Sequence, residues 1–124
     1  MAKKKILIVE DDTTLAKALA YEFQQQDFEV ASAMDGIEGL QLAESMLPDL
    51  ILCDIAMPKM DGLTMLSKLR EASWGKGIAV IMLTNFSDEQ KVMEALSQQA
   101  FDYLVKSDWD LSQIVAKVKE RLGV

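Results

Sequence analysis

Residues 5–12 read Lys5-Ile6-Leu7-Ile8-Val9-Glu10-Asp11-Asp12, an apolar run that ends abruptly in carboxylates. An apolar run of about five residues is typical of a strand buried in a parallel sheet. Three later runs also end in a polar group: Leu50-Ile51-Leu52-Cys53 at Asp54, Ala79-Val80-Ile81-Met82-Leu83 at Thr84, and Phe101-Asp102-Tyr103-Leu104-Val105 at Lys106. Because parallel strands end at one edge of the sheet, where α/β proteins bind ligands, we expect these groups to converge. Carboxylates, a hydroxyl and an amine at that edge favour a site for a divalent cation together with a phosphoryl group.

Helical patterns separate these strands. Leu15, Leu19 and Phe23 recur at helical spacing after the first run, and Phe28-Glu29-Val30 is a short second strand. The last two helices carry start signals of the capping-box type at Ser87 with Gln90 and at Asp110 with Gln113. Further helices are marked by Ile37, Leu40 and Ala43, by Leu63, Leu66 and Leu69, and by Leu111, Ile114, Val115 and Val118. This alternation predicts an α/β fold with a parallel sheet and helices on both of its faces.

Composition excludes several classes of function. The 124 residues predict a single domain, and 20 acidic against 13 basic residues give a net charge of −7. That charge argues against direct nucleic-acid binding, which needs a basic surface. No run is long enough for membrane insertion. Cys53 is the single cysteine and cannot form an internal disulfide, which favours a reducing, cytoplasmic location. The chain has no histidine, so it cannot be the histidine member of a phosphotransfer pair.

The chain resembles the receiver domain of bacterial two-component response regulators, and in length the stand-alone regulators of the chemotaxis type. The resemblance runs from Lys4 to Leu122 and depends on the order and spacing of one set of residues: Glu10 and Asp11, Asp54, Met57-Pro58, Asp61-Gly62, Thr84 and Lys106. It implies a five-stranded doubly wound sheet of the flavodoxin-like order 2-1-3-4-5. On this resemblance we expect residues 1–124 to form one receiver domain with no output domain.

The resemblance also implies the phosphoacceptor and its cofactor. Asp54 would take a phosphoryl group from a phosphohistidine on a sensor histidine kinase or phosphotransfer protein. Mg²⁺ would be held by Glu10, Asp11, Asp54 and the backbone carbonyl of Ala56. The chemistry of the residues agrees, since clustered carboxylates repel one another and a hard divalent cation relieves that repulsion.

The remaining roles concern switching. Lys106 would pair first with Asp54 and then with the phosphoryl oxygens, while Thr84 would bind the phosphoryl group and move when it arrives. Tyr103 would swing between exposed and buried positions. The chain would then act as a phosphoacceptor switch that assists its own phosphorylation and dephosphorylation, not as an enzyme. Its output protein would bind in trans, and a homodimer through the face formed by helix four, strand five and helix five stays open.

The sequence departs from receivers at Ser107, at Asn85 and at Gln99-Ala100. Receivers usually follow the lysine with a proline in a cis peptide, whereas Ser107 follows Lys106 here. A cis bond before a residue other than proline costs about 3 kcal/mol, which favours the trans isomer.

In receivers, the residue two positions after the phosphoacceptor and the residue two positions after the threonine affect the rate at which the phosphoryl group is hydrolysed. Here they are Ala56 and Phe86, neither of which can orient a water, so we expect a long-lived phosphoryl group.

Three other interpretations fit parts of the sequence. A phosphatase of the haloacid-dehalogenase type needs an aspartate nucleophile after the first strand, where this chain has Glu10. A flavodoxin-like cofactor binder needs a phosphate-cradling loop there, whereas Glu10, Asp11 and Asp12 would repel phosphate. A degenerate receiver that acts only as an interaction module would have an inert Asp54.

Overall fold

The computed structural model describes residues 3–85, 89–100 and 102–124, and the side chains of all of these except 89–92. Within these residues, five strands and five α-helices alternate along the chain. The strands are β1 (Lys5–Val9), β2 (Glu29–Ala33), β3 (Leu50–Asp54), β4 (Ala79–Thr84) and β5 (Asp102–Val105). The helices are α1 (Thr13–Gln25), α2 (Gly36–Met46), α3 (Gly62–Glu71), α4 (Glu89–Ser97) and α5 (Leu111–Leu122), with a 3₁₀ turn at Lys106–Asp108.

The strands form one parallel sheet in the order β2-β1-β3-β4-β5, which confirms the predicted flavodoxin-like topology. Successive side chains of a strand point to opposite faces, so each buried strand serves two cores. Leu7, Ile51 and Val80 face α2, α3 and α4, whereas Ile8 and Leu52 face α1 and α5. Because β1, β3 and β4 are covered on both sides, nearly all of their residues are apolar.

Side-chain caps fix where several helices begin. The Asp12 carboxylate accepts hydrogen bonds from the amides of Thr14 and Leu15 and so starts α1. Asp110 and Gln113 exchange hydrogen bonds in the predicted capping box at the start of α5. The corresponding prediction at Ser87 lies outside the described residues. Each such cap stabilises a helix by about 1 kcal/mol, and it also determines where the preceding loop must turn.

One strand prediction needs correction. The second strand runs from Glu29 to Ala33 instead of Phe28 to Val30. Phe28 lies just before the strand because its ring packs edge-on against that of Phe23 in α1, with the ring centroids 5.7 Å apart. In the described residues β5 begins at Asp102, and Phe101 lies outside them.

Two loops at the carboxyl edge of the sheet frame the site. The β3–α3 loop, residues 55–61, contains a γ-turn in which the Met60 amide bonds the Pro58 carbonyl at 2.7 Å and Lys59 has φ +66°. After β5, the Lys106–Ser107 bond is trans, since the described residues contain no cis peptide. The chain then continues directly into the 3₁₀ turn, which leads to the cap of α5.

Among the described residues, no helix has the length and apolarity needed to cross a membrane.

Candidate functional site

Three predicted carboxylates converge where β1 and β3 end. One oxygen from each of Glu10, Asp11 and Asp54 lies within 4.8 Å of the others. Glu10 and Asp54 are buried, at 2% and 4% exposure, while Asp11 is exposed. The register brings two of them together, because Val9 pairs with Cys53 and the residues that follow these two in the chain are Glu10 and Asp54; Asp11 comes directly after Glu10. The cluster therefore has a buried floor and one side open to solvent.

Lys106 brings a positive charge into this cluster. Its Nζ lies 2.6 Å from Glu10 Oε1 and 3.2 Å from Asp54 Oδ2, where it donates a hydrogen bond. The Glu10 contact is the shorter of the two and forms a close ion pair with the Oε1 atom of this buried residue. The sequence predicted the pairing with Asp54 but gave no sign of the shorter contact with Glu10.

Burial and pairing oppose each other in the protonation of these groups. Burial raises the pKa of Glu10 to about 7, although the contact with Lys106 acts to lower it. Burial alone would lower the pKa of Lys106, but Glu10 and Asp54 outweigh it and the net shift is upward. The ammonium is therefore charged at neutral pH, while Glu10 is close to its titration midpoint.

The donor set suits a hard cation. Three carboxylates cluster beside a single ammonium, which contacts Glu10 and Asp54, so the acidic groups outnumber the basic one. Exposed acids often cluster without binding a metal, but here two of the three are buried. An all-oxygen set that contains carboxylates matches the preference of Mg²⁺ and Ca²⁺, and the residues present can hold such an ion.

The other predicted residues lie around this cluster. Thr84 is the last residue of β4, 1% exposed, and pairs with Val105 directly before Lys106. Tyr103 lies in β5, half-buried against the core under α2, α3 and α4. Ala56 is exposed in the β3–α3 loop, two residues beyond Asp54. Phe86, the second residue expected to affect hydrolysis, lies outside the described residues.

Close backbone packing beneath Asp54 depends on a glycine. A Cβ on Gly62 would lie 2.0 Å from the carbonyl oxygen of Asp54. The Gly62 amide also donates to the Ile55 carbonyl at 2.8 Å, and Asp61 caps α3 by accepting from the Thr64 amide. The first turn of α3 is thus pressed directly against the backbone that carries Asp54. In the sequence, the Asp61-Gly62 pair was one of the features that carry the resemblance, but this backbone contact could not be seen there.

Comparison with known proteins identifies the family. A family model described as the response regulator receiver domain matches residues 6–119. The DNA-binding dual master transcriptional regulator RpaA of Synechocystis is 34% identical over 118 residues, which are 95% of this chain and 48% of that protein. The DNA-binding response regulator MtrA of Mycobacterium tuberculosis is 33% identical over 120 residues, 97% of this chain and 51% of that protein. The chain thus spans about half the length of these curated relatives.

Solved structures agree. A CheY-like response regulator receiver domain protein from Methanospirillum hungatei has a TM-score of 0.91 and 30% identity, with 98% of this chain and 95% of that chain covered. CheY in a CheX–CheY–BeF3–Mg²⁺ complex from Borrelia burgdorferi has a TM-score of 0.87 and 31% identity, with 96% and 89% covered. With the family model spanning most of its length, the chain belongs to the response regulator receiver domains.

Proposed function

We propose that Asp54 is the phosphoacceptor of this receiver domain. The observation that carries the proposal is the position of its carboxylate, which is 4% exposed at the end of β3, held by Lys106 at 3.2 Å and grouped with Glu10 and Asp11. A carboxylate at a charged, partly open sheet edge combines a nucleophile with the means to neutralise an incoming phosphoryl group. Glu10 is also buried and also contacts Lys106, but it follows β1, where the resemblance implies a metal ligand, whereas Asp54 ends β3, where the resemblance implies the acceptor.

The proposed reaction is a phosphoryl transfer between two proteins. An oxygen of Asp54 attacks the phosphorus of a phosphohistidine on a sensor histidine kinase or phosphotransfer protein. A phosphorus–oxygen bond forms, the phosphorus–nitrogen bond breaks, and the leaving imidazole takes a proton from solvent. The phosphohistidine lies outside these 124 residues, because they contain no histidine. Phosphoryl transfer needs mainly positioning and charge neutralisation, so the chain's own residues act chiefly by binding and orientation.

The cofactor in this proposal is Mg²⁺, which Glu10, Asp11, Asp54 and the Ala56 carbonyl would hold. When bound, Mg²⁺ would supply positive charge to the transferring phosphoryl oxygens. Lys106 would supply a second positive charge, since its ammonium already reaches Asp54 and its raised pKa keeps it protonated. Glu10 must lose its proton to serve as a ligand, which links metal binding to pH.

Thr84 and Tyr103 would read out the phosphorylated state. Thr84 ends β4 and Asp54 ends β3, and these neighbouring strands end at the same edge of the sheet. Thr84, which bears a hydroxyl, therefore lies beside the strand that carries the acceptor. Tyr103 is half-buried and therefore has room to change its exposure. In this proposal the signal passes to an output protein in trans or to a second copy through the α4–β5–α5 face. Ala56 and Phe86 would leave the phosphoryl group long-lived.

The cellular setting follows from the same proposal. A kinase-coupled switch with a free, buried thiol at Cys53 belongs in a reducing cytoplasm. Its net charge of −7 disfavours direct contact of these residues with nucleic acid, although RpaA and MtrA are named as DNA-binding proteins. The proposal assigns the chain no membrane insertion, and its role is that of a switch and not of an enzyme.

Intact-mass spectrometry after incubation with acetyl phosphate tests this function. The expected result is one added phosphoryl group that requires Mg²⁺ and is lost in Asp54→Ala. Asp12→Ala is the matched control, because Asp12 is an acid of the same edge that caps α1. A folded protein that stays unmodified, yet binds Mg²⁺, would instead favour the inert interaction module. Turnover of a small phosphoester without a stable adduct would favour the phosphatase.

A further inference from the structure

The β3–α3 loop has a strained turn that must be held from outside. Lys59 has φ +66°, a backbone conformation that residues other than glycine rarely adopt, within the γ-turn closed by Met60 and Pro58. Such strain persists only where neighbouring structure fixes it. The loop also carries Ala56, whose carbonyl the proposed function assigns to the metal. The contacts that hold this loop therefore bear on the site.

The start of α2 makes those contacts. The amide of Gly36 donates to the Met60 carbonyl at 3.0 Å, directly after the strained residue. Asp35 is buried and caps α2 through the Glu38 amide at 2.9 Å, and its other oxygen lies 3.8 Å from the ammonium of Lys59. The Lys59 side chain is 70% exposed, so its ion pair with Asp35 contributes little. The backbone hydrogen bond from Gly36 is therefore the main contact between α2 and the loop.

Residue 36 must be a glycine for this packing. A Cβ there would lie 2.7 Å from the Met60 carbonyl oxygen and 2.8 Å from Met60 Cγ. The first of these atoms belongs to the backbone and cannot rotate away. Gly36 has no positive φ, so the requirement is steric and not conformational. An alanine would push the loop away from α2 and lengthen the bond that holds the strained turn.

We propose that Gly36 is a positioning residue for the metal centre, acting through the β3–α3 loop. The Gly36 amide donates to the Met60 carbonyl, and the absence of a side chain at position 36 leaves room for Met60 against α2. Met60 in turn positions the loop segment that offers the Ala56 carbonyl. This inference rests on the proposed function, because it needs Ala56 to be a ligand. It adds a dependence of metal affinity on a helix that carries none of the proposed ligands. Partners that orient ligands typically change metal affinity by 10-fold to 100-fold when they are altered.

The first test compares matched glycine variants by calorimetric titration with MgCl₂. Gly36→Ala should bind Mg²⁺ about tenfold more weakly than the wild type. Gly75→Ala is the matched control, since its Cβ would meet the Leu69 carbonyl oxygen at 2.3 Å in the connection before β4, at the opposite edge of the sheet. It should be destabilised in thermal unfolding yet keep wild-type Mg²⁺ affinity. Gly77→Ala, with no atom within 4 Å of its Cβ, should change neither property.

The second test uses the wild type alone and does not depend on a folded variant. If metal binding needs the loop in this position, Mg²⁺ must in turn stabilise the bond from Gly36 to Met60. Amide hydrogen exchange followed by NMR should slow at Gly36 by at least about fivefold on saturation with Mg²⁺. The Gly39 amide, which bonds Asp35 within the same helix, is the internal reference and should change much less.

The outcomes separate the two proposals. Wild-type Mg²⁺ affinity in Gly36→Ala, an equal loss in Gly75→Ala, or unchanged exchange at Gly36 would each overturn the positioning role and leave the proposed function standing. A wild type that binds no Mg²⁺ would overturn the proposed function at its metal step, and the role of Gly36 with it.

Discussion

Replacing Lys106 by methionine should destabilise the protein in a pH-dependent way. The variant Lys106→Met keeps the length of the side chain and removes its charge from Glu10 and Asp54, at 2.6 Å and 3.2 Å. At an effective dielectric constant of 20, those distances correspond to gross attractions of about 6 and about 5 kcal/mol. Desolvation offsets much of this, and removal of one partner from a buried pair typically costs about 3–5 kcal/mol. Because the Lys106 side chain is 14% exposed, we expect the lower value, about 3 kcal/mol at about pH 8.

The sign of the pH dependence follows from Glu10. Its pKa is raised from 4.5 to about 7, so the folded state keeps a proton that the unfolded state releases in that interval. Ionised Glu10 therefore opposes folding increasingly as the pH rises towards 7. Without Lys106 the pKa rises further, because the ammonium no longer favours the ionised form. At about pH 5.5 Glu10 is neutral in both proteins, and the loss should be roughly half of that at about pH 8.

Urea unfolding of wild type and Lys106→Met at both pH values, in the presence of a chelator, measures this difference. Addition of Mg²⁺ at about pH 8 should then narrow the gap, since the cation replaces part of the lost positive charge. An equal loss of unfolding free energy at the two pH values would refute the reasoning, because the contact with Glu10 would then carry none of the effect.

Three further predictions concern the same framework. Mg²⁺ affinity should rise with pH and level off above about 7, since Glu10 must lose its proton; a flat titration profile from about pH 5.5 to 7 would contradict this. Asp12→Ala should lose about 1 kcal/mol of unfolding free energy with the cap of α1, while its phosphorylation by acetyl phosphate stays at the wild-type level. Arg70→Met should lower the free energy of unfolding in urea by about 2–3 kcal/mol without changing Mg²⁺ affinity. The reason is that the Arg70 guanidinium donates hydrogen bonds to backbone carbonyls, which include those of Gly75 and Gln99. A loss below about 0.5 kcal/mol would count against that role.

The sequence predicted the central strands well for a physical reason. A strand buried on both faces has to be apolar along its whole length, as β1, β3 and β4 are. The polar residue at which each run ends then marks the sheet edge. β2 was placed wrongly because it is an edge strand in which exposed and partly buried residues mix, so no clear run marks its ends.

The contacts within the site were less predictable. That Glu10, Asp11 and Asp54 would converge follows from strand order, but which acid Lys106 contacts most closely depends on side-chain geometry. The need for glycine at position 36 was likewise hidden, because it arises from a backbone carbonyl in a loop remote in sequence. Such contacts leave no periodic pattern in the chain.

Chemical mapping of the modified residue tests the central claim most directly. The protein is incubated with acetyl phosphate and Mg²⁺, then treated with borohydride, which reduces an aspartyl phosphate to homoserine with release of phosphate. Peptide mass spectrometry then locates the reduced residue. Reduction at position 54 alone is the predicted result. Reduction at Asp11 or Asp12 instead of Asp54, or a phosphoryl adduct that borohydride does not convert, would contradict the assignment of Asp54 as the phosphoacceptor.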